Sequence, residues 1–188
     1  QHDHRLPLMP EIVNVVAAGK LGREINIPAI AEDIDAAVTK LSDESYSHRV
    51  VYLRREEGGP MATLYRSGSY HITGVDSIEG AEDLKDWMVT ALEDLGIEVT
   101  TTFSVKNVVM TGDLGHQVNL NTLVVALGLE DTEYEPEQFP GAVYRPPDIG
   151  CVFLIFASGK VVITGAPDVE NGTDGFEKVT ERLKQTIG

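Results

Sequence analysis

Residues 12–27 read IVNVVAAGKLGREINI, and residues 105–120 read VKNVVMTGDLGHQVNL. Asn14 falls on Asn107, Val15 and Val16 on Val108 and Val109, Gly19 on Gly112, Leu21 and Gly22 on Leu114 and Gly115, and Asn26 on Asn119. Further along, SGSYHITG at 67–74 returns as SGKVVITG at 158–165. Two matched blocks, in the same order and at similar separation, mean that the chain repeats itself. The copies are placed at 11–98 and 103–188, joined through 98–102, with 1–10 read as a disordered tail. Two copies are too few for a solenoid, so they are expected to pack as a pseudo-twofold pair.

Each copy reads the same way. A β-branched strand opens it, over 12–18 or 103–111. A short helix follows, with Pro28 near its start in the first copy. Extended stretches come next: 49–54, 62–65 and 70–73, then 142–145, 152–156 and 161–164. The Ser-Gly pairs at 67–68 and 158–159 sit where tight hairpins belong. A long amphipathic helix closes each copy. Leu84, Trp87, Met88, Ala91, Leu92 and Leu95 mark the first, and Phe176, Val179, Leu183 and Ile187 the second. The fold class is therefore α+β.

Neighbours in a strand point to opposite faces. Val152, Leu154 and Phe156 share one face, and Phe153 and Ile155 the other. Val162 and Thr164 likewise oppose Val161 and Ile163. Both faces are apolar, yet the helices can cover only one. A second layer or a dimer would bury the other; so would a binding partner, since exposed apolar patches mark interaction sites. Periodicity alone does not choose between them.

Bulk composition narrows the classes. The chain has 188 residues, 42% of them hydrophobic, enough for a packed core. No run of about 18 apolar residues predicts a membrane span, and the start lacks the apolar core of a signal peptide. The lone Cys151 excludes an intramolecular disulfide or a cysteine-rich zinc site and suits a reducing cytoplasm. His2 and His4 lie in the tail, and His48, His71 and His116 have no nearby ligand spacing. No phosphate-cradling loop or nucleophile motif occurs, so neither enzyme, metal nor cofactor is expected.

The charge is the odd feature: 30 acids against 15 bases, a formal net charge of −15. Alone it argues against nucleic acid, because phosphate attraction normally dominates such affinity. One explanation is an ordinary acidic protein without an anionic partner. The other, preferred here, is an organism with molar internal salt, where the Debye length falls to about 3 Å and net charge barely acts at range.

The stretch EYEPEQFPGAVYR at 133–145, followed by LIFASGKVVITGA at 154–166, resembles the second repeat of archaeal TATA-binding proteins nearly residue for residue. VNVV at 13–16 and KNVV at 106–109 resemble the first strand of each family repeat, and the likeness runs through the whole chain after the tail. It implies a curved antiparallel sheet, a saddle with helices on its convex back. The concave face would lie on a widened DNA minor groove, with phenylalanines wedged between base steps. By resemblance Phe139, with Pro140 after it, and Phe156 form the second-repeat wedge, and Tyr65 stands in the place of Phe156 in the first. Asn14 and Asn107 would sit near the pseudo-dyad beside Thr73 and Thr164. An A·T pair shows only acceptors in that groove, which Asn amides and Thr hydroxyls can meet. A G·C pair adds an amino donor that Val16, Val109, Leu154 and Val162 cannot satisfy. Arg145, Ser158 and Lys160 would meet phosphates, and Glu135, Glu137 and Gln138 resemble the family's surface for transcription factor B. RNA polymerase would be engaged only indirectly, in the cytoplasm at the nucleoid.

The first repeat departs from this pattern. Aligning Arg54 with Arg145 puts His48 in place of Phe139, while Ser69 and His71 replace Lys160 and Val162. Arg49, Arg54, Arg55 and Arg66 crowd the same stretch, and the loop EEGGP at 56–60 is unlike the family's. Two functions are therefore expected. One is an initiation factor that binds and bends A/T-rich promoter DNA and recruits transcription factor B. The other is a related regulator that binds transcription factor B with weakened or altered DNA binding.

Overall fold

The structure is a computed structural model that describes residues 7–41 and 48–187. The chain forms two compact units. One is Asn14–Lys106; the other is made of residues 107–187 together with residues 7–13.

In the first unit the strands are β1 (Leu8–Lys20), β2 (Val38–Leu41), β3 (Val50–Arg54), β4 (Met61–Tyr65) and β5 (Ser69–Val75), with helices α1 (Ile27–Asp33) and α2 (Ile78–Asp94). The antiparallel order is β2-β3-β4-β5-β1. In the second, β6 (Ser104–Asp113), α3 (Leu120–Leu127), β7 (Thr132–Glu133), β8 (Ala142–Tyr144), β9 (Val152–Ile155), β10 (Lys160–Ala166) and α4 (Val169–Ile187) repeat the plan. Its order is β6-β10-β9-β8-β7. β1 already begins at Leu8, inside the stretch read from sequence as a tail; residues 1–6 of that stretch lie outside the described residues.

The matched asparagines explain why each repeat turns into a helix at the same point. Asn26 Oδ1 accepts from Ala29 N at 3.1 Å, and Asn119 Oδ1 from Thr122 N at 3.2 Å. Each supplies a partner to an amide that the first helical turn leaves unpaired, a cap that stabilises by about 1 kcal/mol. Pro28 then occupies the first turn of α1, where its missing N–H costs nothing. Ser77 caps α2 in the same manner, accepting from Gly80 N at 2.9 Å.

Alternation sorts the strands as expected. In the first unit α2 packs on β4 and β5, and the buried side chains are Val15, Ala17, Val51, Leu53, Ala62, Leu64, Tyr70 and Ile72. Leu84, Met88, Ala91 and Leu92 meet them from α2, while Trp87 is only half-buried. In the second, α4 packs on β10 and α3, burying Phe153, Ile155, Val161 and Ile163 with Phe176, Val179 and Leu183. The side chain of Ile187, expected in the same stripe, lies outside the described residues. Each large side chain fully removed from water contributes about 1.5–3 kcal/mol. The opposite face of both sheets keeps half-buried or exposed residues, apart from Thr63 and Ala18, which are buried.

Candidate nucleic-acid interface

The outer face of the second repeat is built by strand register. Val143 lies opposite Leu154, Leu154 opposite Val162, and Val162 opposite Thr111, one row across β8, β9, β10 and β6. Thr164 lies opposite Val152 in the next row. Val109 and Phe156 share this face, and all of these side chains are half-buried. Of them, Val109, Leu154, Phe156, Val162 and Thr164 were expected from sequence. Thr111, Val143 and Val152 were not singled out as site residues, although counting by two from Val109, Arg145 and Leu154 reaches them.

The two phenylalanines meet. Their ring centroids are 5.7 Å apart in an edge-on arrangement, with Phe139 37% exposed. Phe139 is carried by a tight turn in which Gln138 N and Phe139 N both bond to Glu135 O, at 2.9 and 3.0 Å. Gly141 makes the contact possible: a Cβ there would come within 3.0 Å of Phe139 and 3.1 Å of Phe156. Glu135, Glu137, Gln138 and Pro140 are exposed on this turn. Arg145 pairs with Glu133 at 3.1 Å, both largely in solvent. Such a pair contributes little and is easily exchanged, so the guanidinium can be handed to another anion. Ser158 and Lys160 are exposed at the β9–β10 hairpin.

Asn14 and Asn107 have a structural task that leaves a chemical one open. Both β5 and β10 carry a bulge next to the first strand of their repeat, where the register shifts by one residue. The bulges centre on Thr73-Gly74 and Thr164-Gly165, and each glycine has positive φ, 84° and 73°. That conformation is costly for residues with a Cβ. Asn14 Oδ1 accepts from Gly74 N at 3.1 Å, and Asn107 Oδ1 from Gly165 N at 2.9 Å. A backbone amide can only donate, so both side-chain amides are held with oxygen toward the bulge. Their NH2 groups, without partners among the described residues, remain as donors.

The first repeat uses the same register for different chemistry. Tyr52 lies opposite Thr63, Thr63 opposite His71, and His71 opposite Ala18. These positions correspond to Val143, Leu154, Val162 and Thr111. Val16 and Thr73 remain half-buried as in the second repeat. Tyr65 does not find its ring partner in the His48 aligned with Phe139. It packs edge-on against His71, centroids 5.2 Å apart, with its hydroxyl 3.3 Å from His71 Nδ1. His48 is exposed and accepts from Arg49 Nε at 3.3 Å. Arg54, the counterpart of Arg145, is tied instead to Gly59 O in the 56–60 loop. Burial first, and Tyr52 second, hold the Tyr65 phenol above the ordinary tyrosine value, so it keeps its proton at neutral pH.

Two ionisable groups lie on the buried side of the sheets. Tyr70 on the buried face donates to Thr102 O at 2.6 Å, and burial followed by the Asp86 charge pushes its pKa up to about 12. Burial, followed by the Asp168 charge, also raises the Cys151 thiol, which is buried and donates to Asn171 O at 3.7 Å. Among the described residues no group of three or more His, Cys, Asp or Glu could hold a metal ion. No described helix is long and apolar enough to cross a membrane.

The model of the family described as transcription factor TFIID, or TATA-binding protein, matches the chain twice, over residues 9–95 and 102–186. The chain belongs to the TATA-binding protein family. It is 43% identical over 180 residues to TATA-box-binding protein C of Halobacterium salinarum, covering 94% of this chain and 98% of that one. To TATA-box-binding protein 2 of Haloferax volcanii it is 39% identical, covering 92% of each. The TATA-binding protein of Methanococcus jannaschii has the same fold, with a TM-score of 0.83 at 36% identity, covering 94% of this chain and 99% of that chain. The fold and family expected from sequence are thus found, and the Halobacterium and Haloferax relatives come from halophilic archaea.

Proposed function

We propose that the chain is a transcription initiation factor that binds A/T-rich promoter DNA through the minor groove, bends it and recruits transcription factor B. The observation that carries this reading is the outer face of the second repeat: a half-buried, largely aliphatic row beside the paired rings of Phe139 and Phe156. Methyl groups suit a groove floor that lacks the guanine amino group, and an aromatic pair offsets stacking lost at a kinked step. The amide donors of Asn14 and Asn107, held by the bulges, suit A·T acceptors. In this reading the repeats at 11–98 and 103–188 each present such a face to DNA. Arg145, Ser158 and Lys160 meet phosphates, and the exposed turn with Glu135, Glu137 and Gln138 docks transcription factor B at the nucleoid, with polymerase following.

A second reading is favoured by the polar first repeat: a regulator that engages transcription factor B while its grip on DNA is altered. A band shift with A/T-rich duplex, with and without transcription factor B, over a salt series separates them. The first reading expects a shift by the chain alone and a supershift with the factor. Complexes formed only when the factor is present favour the second, and no complex in either condition contradicts both.

A further inference from the structure

At three of the four positions in the row the first repeat replaces an aliphatic side chain by a polar one, while Ala18 replaces Thr111 at the fourth, and one of the polar groups is positioned to read a base. His71 is exposed, at the register position of Val162. Its Nδ1 is 3.3 Å from the Tyr65 hydroxyl, and among the described residues its Nε2 has no partner. Resting on the minor-groove reading above, we propose that His71 is a specificity-determining residue that lets the first repeat accommodate a G·C pair where the second repeat requires A·T.

The chemistry follows from the hydroxyl being both donor and acceptor. When Tyr65 donates to Nδ1, the neutral ring carries its proton on Nε2 and presents a donor, which suits the N3 and O2 acceptors of an A·T pair. When Tyr65 accepts from Nδ1–H, Nε2 presents a lone pair, which receives the 2-amino group of guanine. Val162 can do neither, so a guanine amino pressed against it loses its water without gaining a partner. Tyr65 keeps its proton throughout and is held edge-on to the ring, so either tautomer retains its hydrogen bond. Its neighbours in the row are Thr63 and Ala18, both buried, so His71 is the exposed polar group there.

The test is a base-pair scan on an A/T-rich duplex. Each A·T pair in turn is replaced by inosine·cytosine, which keeps the acceptor-only groove edge, and by G·C, which differs from it only by the amino group. Wild type and His71→Val are compared by equilibrium band shift, with thermal melting to show that the variant is folded. The account expects one position at which wild type binds the G·C duplex within about threefold of the inosine duplex, while His71→Val loses about 5- to 100-fold there. At the pairs facing the second repeat both proteins suffer the full loss. If wild type and His71→Val bear equal G·C penalties at every position, His71 does not read the amino group and the inference falls. If neither binds the unsubstituted A/T duplex, the minor-groove reading itself fails, a distinct outcome.

Discussion

On the second repeat, the outer face carries Val109, Val143, Leu154 and Val162 and ends on two phenylalanines in contact; on the first, the same register carries Val16, Tyr52, Thr63 and His71 and ends on a tyrosine paired to a histidine. The inner faces do not differ in this manner: both are apolar and closed by a long helix. Folding therefore constrains one face of each sheet and leaves the other to be set by what it binds. The inner positions also change between the repeats, with Ala62 for Phe153 and Tyr70 for Val161, but they stay buried in a core; the outer face is where aliphatic side chains give way to Tyr52, Thr63 and His71.

The largest expected effect separates the faces within the second repeat. Phe153 is fully buried and Phe156, three residues on, is not. Phe153→Ala should destabilise the fold by about 3–5 kcal/mol, seen as a large drop in the denaturant midpoint. Phe156→Ala should move that midpoint far less. A comparable loss in both variants would mean that Phe156 belongs to the core and not to a binding face.

Next comes the difference between the two ends in DNA affinity. Phe139→Ala and Phe156→Ala should each weaken binding by about 1–3 kcal/mol, the range for removing a stacking aromatic. Tyr65→Ala should cost less, because its ring is already engaged by His71 and its hydroxyl needs a partner in the groove. Titration of a labelled A/T-rich duplex measures all three. Equal losses at Phe156 and Tyr65 would erase the contrast.

The asparagines are the feature the repeats share. Asn107→Asp keeps the acceptor for Gly165 N but replaces the NH2 donor with a charged oxygen. It should leave the melting temperature nearly unchanged and weaken DNA binding by about 1–2 kcal/mol, with Asn14→Asp matching it. An intact affinity would reduce both asparagines to braces for the bulge.

The smallest expected effect is that of salt. A basic protein making six to ten phosphate contacts loses about 10³–10⁵ in affinity between 50 and 200 mM salt. A chain of net charge −15 that docks through an apolar face should bind no worse as salt rises to molar. A steep fall would instead mean that the first repeat's arginines dominate.

Much of this was legible in the sequence because it rests on local rules. The repeated blocks gave the plan, alternation gave the faces, and the Ser-Gly pairs gave the hairpins at 65–69 and 156–160. The strands β2 and β7 were not legible. Each is short, and its extended form depends on a neighbour, β3 or β8, rather than on its own pattern. The start of β1 was hidden by Pro10 and Glu11, which break any alternation. The pairing of Tyr65 with His71 was missed for a different reason. Alignment points to His48 as the partner, whereas the ring contact is a diagonal across the β4–β5 hairpin, set by the register of Thr63 with His71. Nor did the repeated asparagines declare their attachment to the bulges, which requires two strands in place at once.

The contrast between the two ends is tested most directly by base unstacking. A duplex carrying 2-aminopurine at one end of the A/T-rich element, and a second duplex carrying it at the other, report loss of stacking as a rise in fluorescence. The account predicts a large rise at one end, abolished by Phe156→Ala, and a distinctly smaller rise at the other, reduced by Tyr65→Ala and untouched by Phe156→Ala. Equal rises at both ends, or a large rise that survives Phe156→Ala, would contradict it.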